Sequence, residues 1–293
     1  MDAAQLLETW LSARLSGAGA EWFRKQREAL ATAYSDRTFH ITLGMIPRKL
    51  GKGDLGLSEE ELSEARACRD NWDPRRWSIA DAARLLLLLS TANTSNQSFT
   101  ERYVELCKSA DVAELIALYR GLPIFPDPAS FEPQAGEGLR SNMRTVFEAV
   151  AHNSPYPKDM FGQDRWNHMV LKALFVDSPL APIQGLDERA NPELARIMCD
   201  YAHERWAAGR PVSPELWRCV GPHASGSMYE DLMRVASSED DNEARAAILS
   251  LRDNTAPEAD AIRAVRPAMA ISASNNEYSW TDIVDTMLSR LAS

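Results

Sequence analysis

The chain has few of the residues that most often announce chemistry. It carries four cysteines and five histidines among 293 residues. The cysteines, Cys68, Cys107, Cys199 and Cys219, are far apart and form no C-x-x-C pair, which excludes the disulfide framework of a small secreted scaffold. They are expected to be reduced, mostly buried thiols. The histidines, His40, His152, His168, His203 and His223, never form H-E-x-x-H or H-x-E ahead of a cysteine pair. A G-x-S-x-G elbow, a Walker A loop and a kinase-type set are likewise missing. The motifs therefore assign no catalytic residue, no metal ligand and no cofactor.

Basic residues are also in deficit, with 32 Lys and Arg against 42 Asp and Glu and a formal charge of -10. Phosphate binding is driven by a surplus of cations, so nucleic acid and anionic membrane surfaces are excluded as expected partners. Long apolar runs are lacking. The longest, residues 85–89, is far short of the roughly 20 residues that cross a bilayer. Residues 1–17 alternate apolar and polar side chains in helical fashion, without the basic start and long apolar run of an export signal. A cytoplasmic location is expected. Asn93 and Asn96 match the glycosylation pattern without the secretory context that would give it meaning.

Apolar residues make up 45% of the chain and recur at spacings of three and four, while the alternating runs of strands are almost absent. The fold class is all-α. Helix starts are announced by Ser78 with Asp81, Asp111 with Glu114, Asn191 with Pro192, and Ser213 with Pro214, each placing a side-chain acceptor or a proline at the orphan N–H groups. The pattern predicts helices over residues 3–16, 20–34, 38–50, 59–68, 79–91, 99–109, 112–119, 139–152, 165–176, 192–208, 214–220, 228–236, 243–251, 258–265 and 280–291. Short connections suit stacked antiparallel helical hairpins, as an irregular HEAT-like solenoid or a compact helical bundle. The helix holding Leu85 to Leu89 is apolar all round and is expected at the centre. The proline-rich stretches 122–133 and 153–163 read as ordered, extended loops.

Gly51, Gly53 and Gly56 spell G-x-G-x-x-G, but the segment before them is helical, so they end one helix and turn into the next, capped at Ser58. Cys199 and His203 lie one turn apart beside Asp200. Two aligned ligands are too few for a metal, and a buried thiol beside a partly exposed imidazole is expected.

Residues 138–152 are more informative. On one helix Met143, Val146, Phe147 and Val150 form the apolar face, while Arg140, Arg144, Glu148 and His152 stand above one another at spacing four. Either this is a solvated face stitched by ion pairs worth a few tenths of a kcal/mol each, or it lines a cleft. In the cleft the arginines would hold an anionic or oxygen-rich group and Glu148 would orient His152. Asn142 completes that candidate set. Asn167 and Lys172 interrupt an otherwise apolar helix; hydrogen bonds to loop carbonyls are the structural account of them. In residues 185–191, Asp187 or Asn191 is the candidate cap of the next helix, and Asp187 and Arg189 join the candidate ligand-binding residues.

Several of these segments occur in an order that resembles a known family. They are Arg102-Tyr103-Val104-Glu105-Leu106-Cys107, Ala117-Leu118-Tyr119-Arg120-Gly121-Leu122-Pro123, residues 140–152, Pro155-Tyr156-Pro157, residues 166–175, and Asn191-Pro192-Glu193-Leu194-Ala195. Together they resemble the EboA family, most strongly over residues 77–222. The resemblance implies an EboA-like helical domain over residues 1–236, leaving residues 237–293, which begin at an acidic run, as a C-terminal helical extension. It also implies a bacterial accessory role in the traffic of secondary metabolites, beside a UbiA-like prenyltransferase, a TatD-like hydrolase and a TIM-barrel protein of the same gene cluster. It supplies no catalytic residues.

Three functions follow as expectations. The first is a metabolite-handling protein that binds an aromatic or prenylated small molecule without turnover. The second is an interaction scaffold for proteins of a prenyltransferase-containing pathway. The third is an enzyme using Glu148 and His152 as an acid/base pair.

Overall fold

The computed structural model describes residues 1–92 and 98–291, so that Asn93 and Asn96 lie outside the described residues. Among the described residues the chain forms eighteen α-helices and four short 3-10 turns, with no strand and a single isolated bridge between Asp54 and Ser78. The all-α class holds. The chain divides into two compact units, Met1–Phe161 and Gly162–Ser293.

Unit 1 contains α1 (Ala3–Arg14), α2 (Gly17–Thr32), α3 (Asp36–Leu50), α4 (Glu59–Cys68), α5 (Ile79–Ser90), α6 (Phe99–Ser109), α7 (Val112–Arg120), α8 (Glu132–Arg140), α9 (Arg144–Ala151) and α10 (Tyr156–Met160). Its centre is α5, where every residue from Ala80 to Leu88 is buried. An apolar surface on all sides can be satisfied only by neighbours on all sides, and α1, α2, α3 and α7 supply them. Each fully buried leucine contributes about 1.5–3 kcal/mol relative to exposure. The helix starts are local: α1, α4, α5, α6 and α7 each begin with a complete capping box, from Asp2, Ser58, Ser78, Ser98 and Asp111 respectively. Gly51 ends α3 at a φ of 93°, a conformation that costs glycine little.

Unit 2 contains α11 (Gln163–Phe175), α12 (Pro192–Ala207), α13 (Trp217–Val220), α14 (Met228–Ala236), α15 (Asp241–Ser250), α16 (Pro257–Arg263), α17 (Pro267–Ser274) and α18 (Trp280–Leu291). Here α15 is central, packed by α13, α14, α17 and α18. Ala244, Ala246 and Ala247 on α15 are fully buried, and their small size lets neighbouring backbones come close. Asp240 in the acidic run caps α15, and buried Asn242 donates to the Ile283 carbonyl at 3.0 Å.

Among the differences from the sequence reading, three stand out in the secondary structure. The single helix expected over 139–152 is two, α8 and α9, with a corner at Ser141 to Met143. Ser141 Oγ accepts from Met143 N at 3.1 Å, a turn that competes with the helix. Gly138 packs so closely that an added Cβ would meet Tyr119 Cζ and Val150 Cγ2 at 2.7 Å, which fixes α8 across α7 and α9. Met143 is exposed at this corner and is not part of the apolar face. The proline stretches are not extended: they hold 3-10 turns at Leu122–Ile124 and Pro128–Phe131, the start of α8, and α10. Proline at a helix start has the right φ and no N–H to waste, so here it initiates turns. Finally, α17 has no polar face to give it a helical stripe and was not expected.

Candidate functional site

A cleft in unit 1 collects polar side chains from three segments. Its apolar wall is Trp72 and Trp77, which meet edge to face at 5.6 Å, with Trp10 behind Trp72 at 5.5 Å. The segment bearing them is held by Leu55 N donating to the Trp77 carbonyl at 2.8 Å and Ile79 N to the Gly53 carbonyl at 2.9 Å. From the end of α7 comes Arg120, whose Nη1 donates to Asp81 Oδ2 at 2.7 Å. From α9 come Thr145, Glu148 and Ala149. His152 caps α9, and Asn153, at a φ of 51°, turns the chain so that His152, Asn153 and Ser154 all line the cleft. Asparagine tolerates this left-handed conformation better than most residues.

The cleft thus gathers the guanidiniums of Arg76 and Arg120, the carboxylates of Asp73 and Glu148 and the His152 imidazole within about 150 Å³. Asp81 takes one of the five N–H donors of Arg120 and holds the planar group in place. Arg144 Nε donates to Glu148 Oε1 at 2.6 Å from the exposed side of α9. Such an arrangement can hold a polar head carrying both acceptor and donor atoms against an indole wall.

In unit 2 the candidate residues form a different arrangement. Asn167 is buried on α11 and exchanges side-chain hydrogen bonds with Asn191, whose Nδ2 donates to Asn167 Oδ1 at 2.9 Å. Asn191 Oδ1 also accepts from Leu194 N at 2.9 Å, capping α12. The partner of Asn167 is therefore a side-chain amide, not the loop carbonyl that was expected. The Arg189 guanidinium lies over the Trp166 ring, 4.7 Å from its centroid. Burial lowers the pKa of both Lys172 and Arg189, because a partly desolvated site disfavours the cation. Asp187 forms a two-point ion pair with Arg218.

Of the nine sequence candidates, Glu148 and His152 come together in the unit 1 cleft, with Arg144 tied to Glu148. Arg140 ends α8, pairs with Glu137 and is largely exposed; Asn142 is exposed at the corner. Neither lines the cleft. Arg76, Arg120 and the two tryptophans were missed. Arg120 stood inside the Ala117 to Pro123 segment that carries the family resemblance, which was the available signal.

Cys107, Cys199 and Cys219 are buried, and burial pushes each thiol up to about 12. His203 shares a 2.7 Å hydrogen bond with Asp231. Among the described residues no three His, Cys, Asp or Glu side chains are grouped so as to hold a metal ion, and no helix is long and apolar enough to cross a membrane.

Fold and clefts together define an all-α protein of packed helices in which polar side chains from separate segments line small clefts. Within that class the chain belongs to the EboA family, whose model, described as metabolite traffic protein EboA, matches residues 3–221. No curated protein and no solved structure matches the chain.

Proposed function

We propose that the chain handles a secondary metabolite by binding without turnover, and that the unit 1 cleft takes the polar end of an aromatic or prenylated molecule. One observation carries this reading: Arg120 from the end of α7, and Glu148 and His152 from α9 and its cap, line one cleft against Trp72 and Trp77. The family description as a metabolite traffic protein supports a small molecule as cargo. The cleft volume of about 150 Å³ is below the roughly 300–1,000 Å³ of sites that enclose a whole drug-sized ligand. It therefore receives a head group, and the apolar body lies outside it.

In this reading Arg144 orients Glu148, Arg140 and Asn142 contribute at most from the exposed corner, and Asn167 keeps the α12 cap in place. The protein works in the cytoplasm of a bacterium, alongside proteins of the same gene cluster.

The test is native mass spectrometry of the protein purified from its own host, with analysis of the small molecules released on denaturation. A bound molecule that disappears in Arg120→Ala/His152→Ala is the expected result. Full retention in that variant would sink the reading. An empty protein that emerges with partner proteins attached would replace it with the scaffold function. A ligand retained but chemically altered only when Glu148 and His152 are intact would replace it with the acid/base enzyme.

A further inference from the structure

Unit 2 contains a cleft of about 270 Å³ that uses none of the residues of the unit 1 cleft. Its charged groups are Arg218 on α13 and Arg252 beyond α15, with Asp187 and Asp253 beside them, and its apolar walls include Leu249, Tyr278 and Trp280. The Arg218 guanidinium lies over the Trp280 ring, 5.7 Å from the centroid, so its plane is fixed by an aromatic face. Its Nε and Nη2 donate to Asp187 Oδ1 and Oδ2 at 2.5 and 2.6 Å, the paired geometry by which arginine reads a carboxylate.

The two partners of that ion pair differ in exposure. The Arg218 side chain is 19% exposed and Asp187 is 61% exposed. Asp187 can thus swing into water at little cost to its own solvation, whereas Arg218 stays in the cleft and needs another carboxylate in its place. Arg252 is held more loosely. Its Nε and Nη2 share one oxygen of the adjacent, exposed Asp253 at 3.3 and 3.2 Å, and Nη1 donates to Asn276 at 3.0 Å.

We propose that this cleft binds a small aromatic carboxylate, and that Asp187 is its built-in competitor. The incoming carboxylate takes the place of the Asp187 carboxylate on the Arg218 fork, so one two-point ion pair replaces another. The gain comes from what Asp187 lacks: a flat apolar body against Trp280 and Leu249, and reach to Arg252. A volume near the lower end of small-molecule sites accommodates one ring with its carboxylate.

The opposing signs of two substitutions make the test specific. Benzoate is titrated into the full chain and followed by saturation-transfer NMR. Asp187→Asn removes the competitor's charge and is expected to tighten benzoate binding by about threefold or more. Arg218→Ala is expected to abolish it. Because Arg218→Ala also removes the Trp280 contact, Arg252→Gln serves as a second variant that leaves the fork intact; weaker binding with an unchanged circular dichroism spectrum supports the site. Binding that is equal in the parent and all three variants, weaker in Asp187→Asn, or absent throughout overturns the proposal. Displacement of benzoate by equimolar inorganic phosphate overturns the carboxylate assignment.

Discussion

Asp81 holds Arg120 through the same oxygen that closes a helix cap. Oδ2 of Asp81 accepts from Ser78 N at 2.9 Å and from Arg120 Nη1 at 2.7 Å, so the start of α5 and the orientation of a cleft arginine are one structural unit. The Asp81 side chain is 7% exposed and Arg120 is 29% exposed. Asp81→Asn keeps an acceptor for the cap but removes the charge facing Arg120. Urea unfolding should show a loss of about 1–3 kcal/mol, the range for a buried charged hydrogen bond losing one partner. Ligand retention should fall with it. An unchanged midpoint would mean that the pair does not support α5.

Gly121 should tolerate no side chain, for steric reasons alone. Its φ is -75°, which any residue adopts, yet an added Cβ would lie 2.4 Å from Leu85 Cδ2 and Phe125 Cζ. Both neighbours are buried in the core and cannot retreat into solvent. Gly121→Ala is expected to cost at least the roughly 1–3 kcal/mol of an overpacked core, read as a lower urea midpoint. A neutral result would show that the α7 end can shift away from α5.

Glu215 gives unit 2 a specific pH signature. Its buried carboxylate accepts from Leu180 N at 3.0 Å and Ala181 N at 2.6 Å, pinning the segment after α11. Burial nevertheless raises its pKa above 4.5, outweighing the two backbone N–H groups and the Arg218 charge. The folded state then holds the proton more tightly than the unfolded chain. The contribution of this group to stability is full below about pH 4.5 and is lost as pH rises through the folded pKa. Glu215→Gln removes that dependence. Its stability relative to the parent should improve steadily from pH 4 to pH 7 in about the range where the carboxyl ionises. A parallel pair of stability curves would refute the assignment.

What could be read from the sequence was what neighbours in the chain determine. Ser78, Asp81 and the apolar run to Leu89 lie within three turns of one another, and they fixed α5 and its central place. Asn191 with Pro192 did the same for α12. The corner between α8 and α9 depends instead on Gly138 meeting Tyr119 and Val150, a contact that no local pattern records. The same limit applied to the site. Glu148 and His152 could be placed side by side because one helix turn separates them. Arg120 was not, because its partner Asp81 is 39 residues away. Asn167 and Asn191, 24 residues apart, were each noticed but not as partners of each other.

The capping boxes of unit 1 also bear on how it is made. Helix nucleation is the costly step, and α1, α4, α5, α6 and α7 each carry the groups that lower that cost within their own first turn. Chains emerge from the ribosome amino end first, and three of the helices around α5, namely α1, α2 and α3, precede it. Three of the four helices that cover α5 are therefore already synthesised when it emerges. The cleft, by contrast, needs Arg120 from α7 and the turn at His152 to Ser154. The walls of the cleft are thus completed later in synthesis than α5 and its first three neighbours.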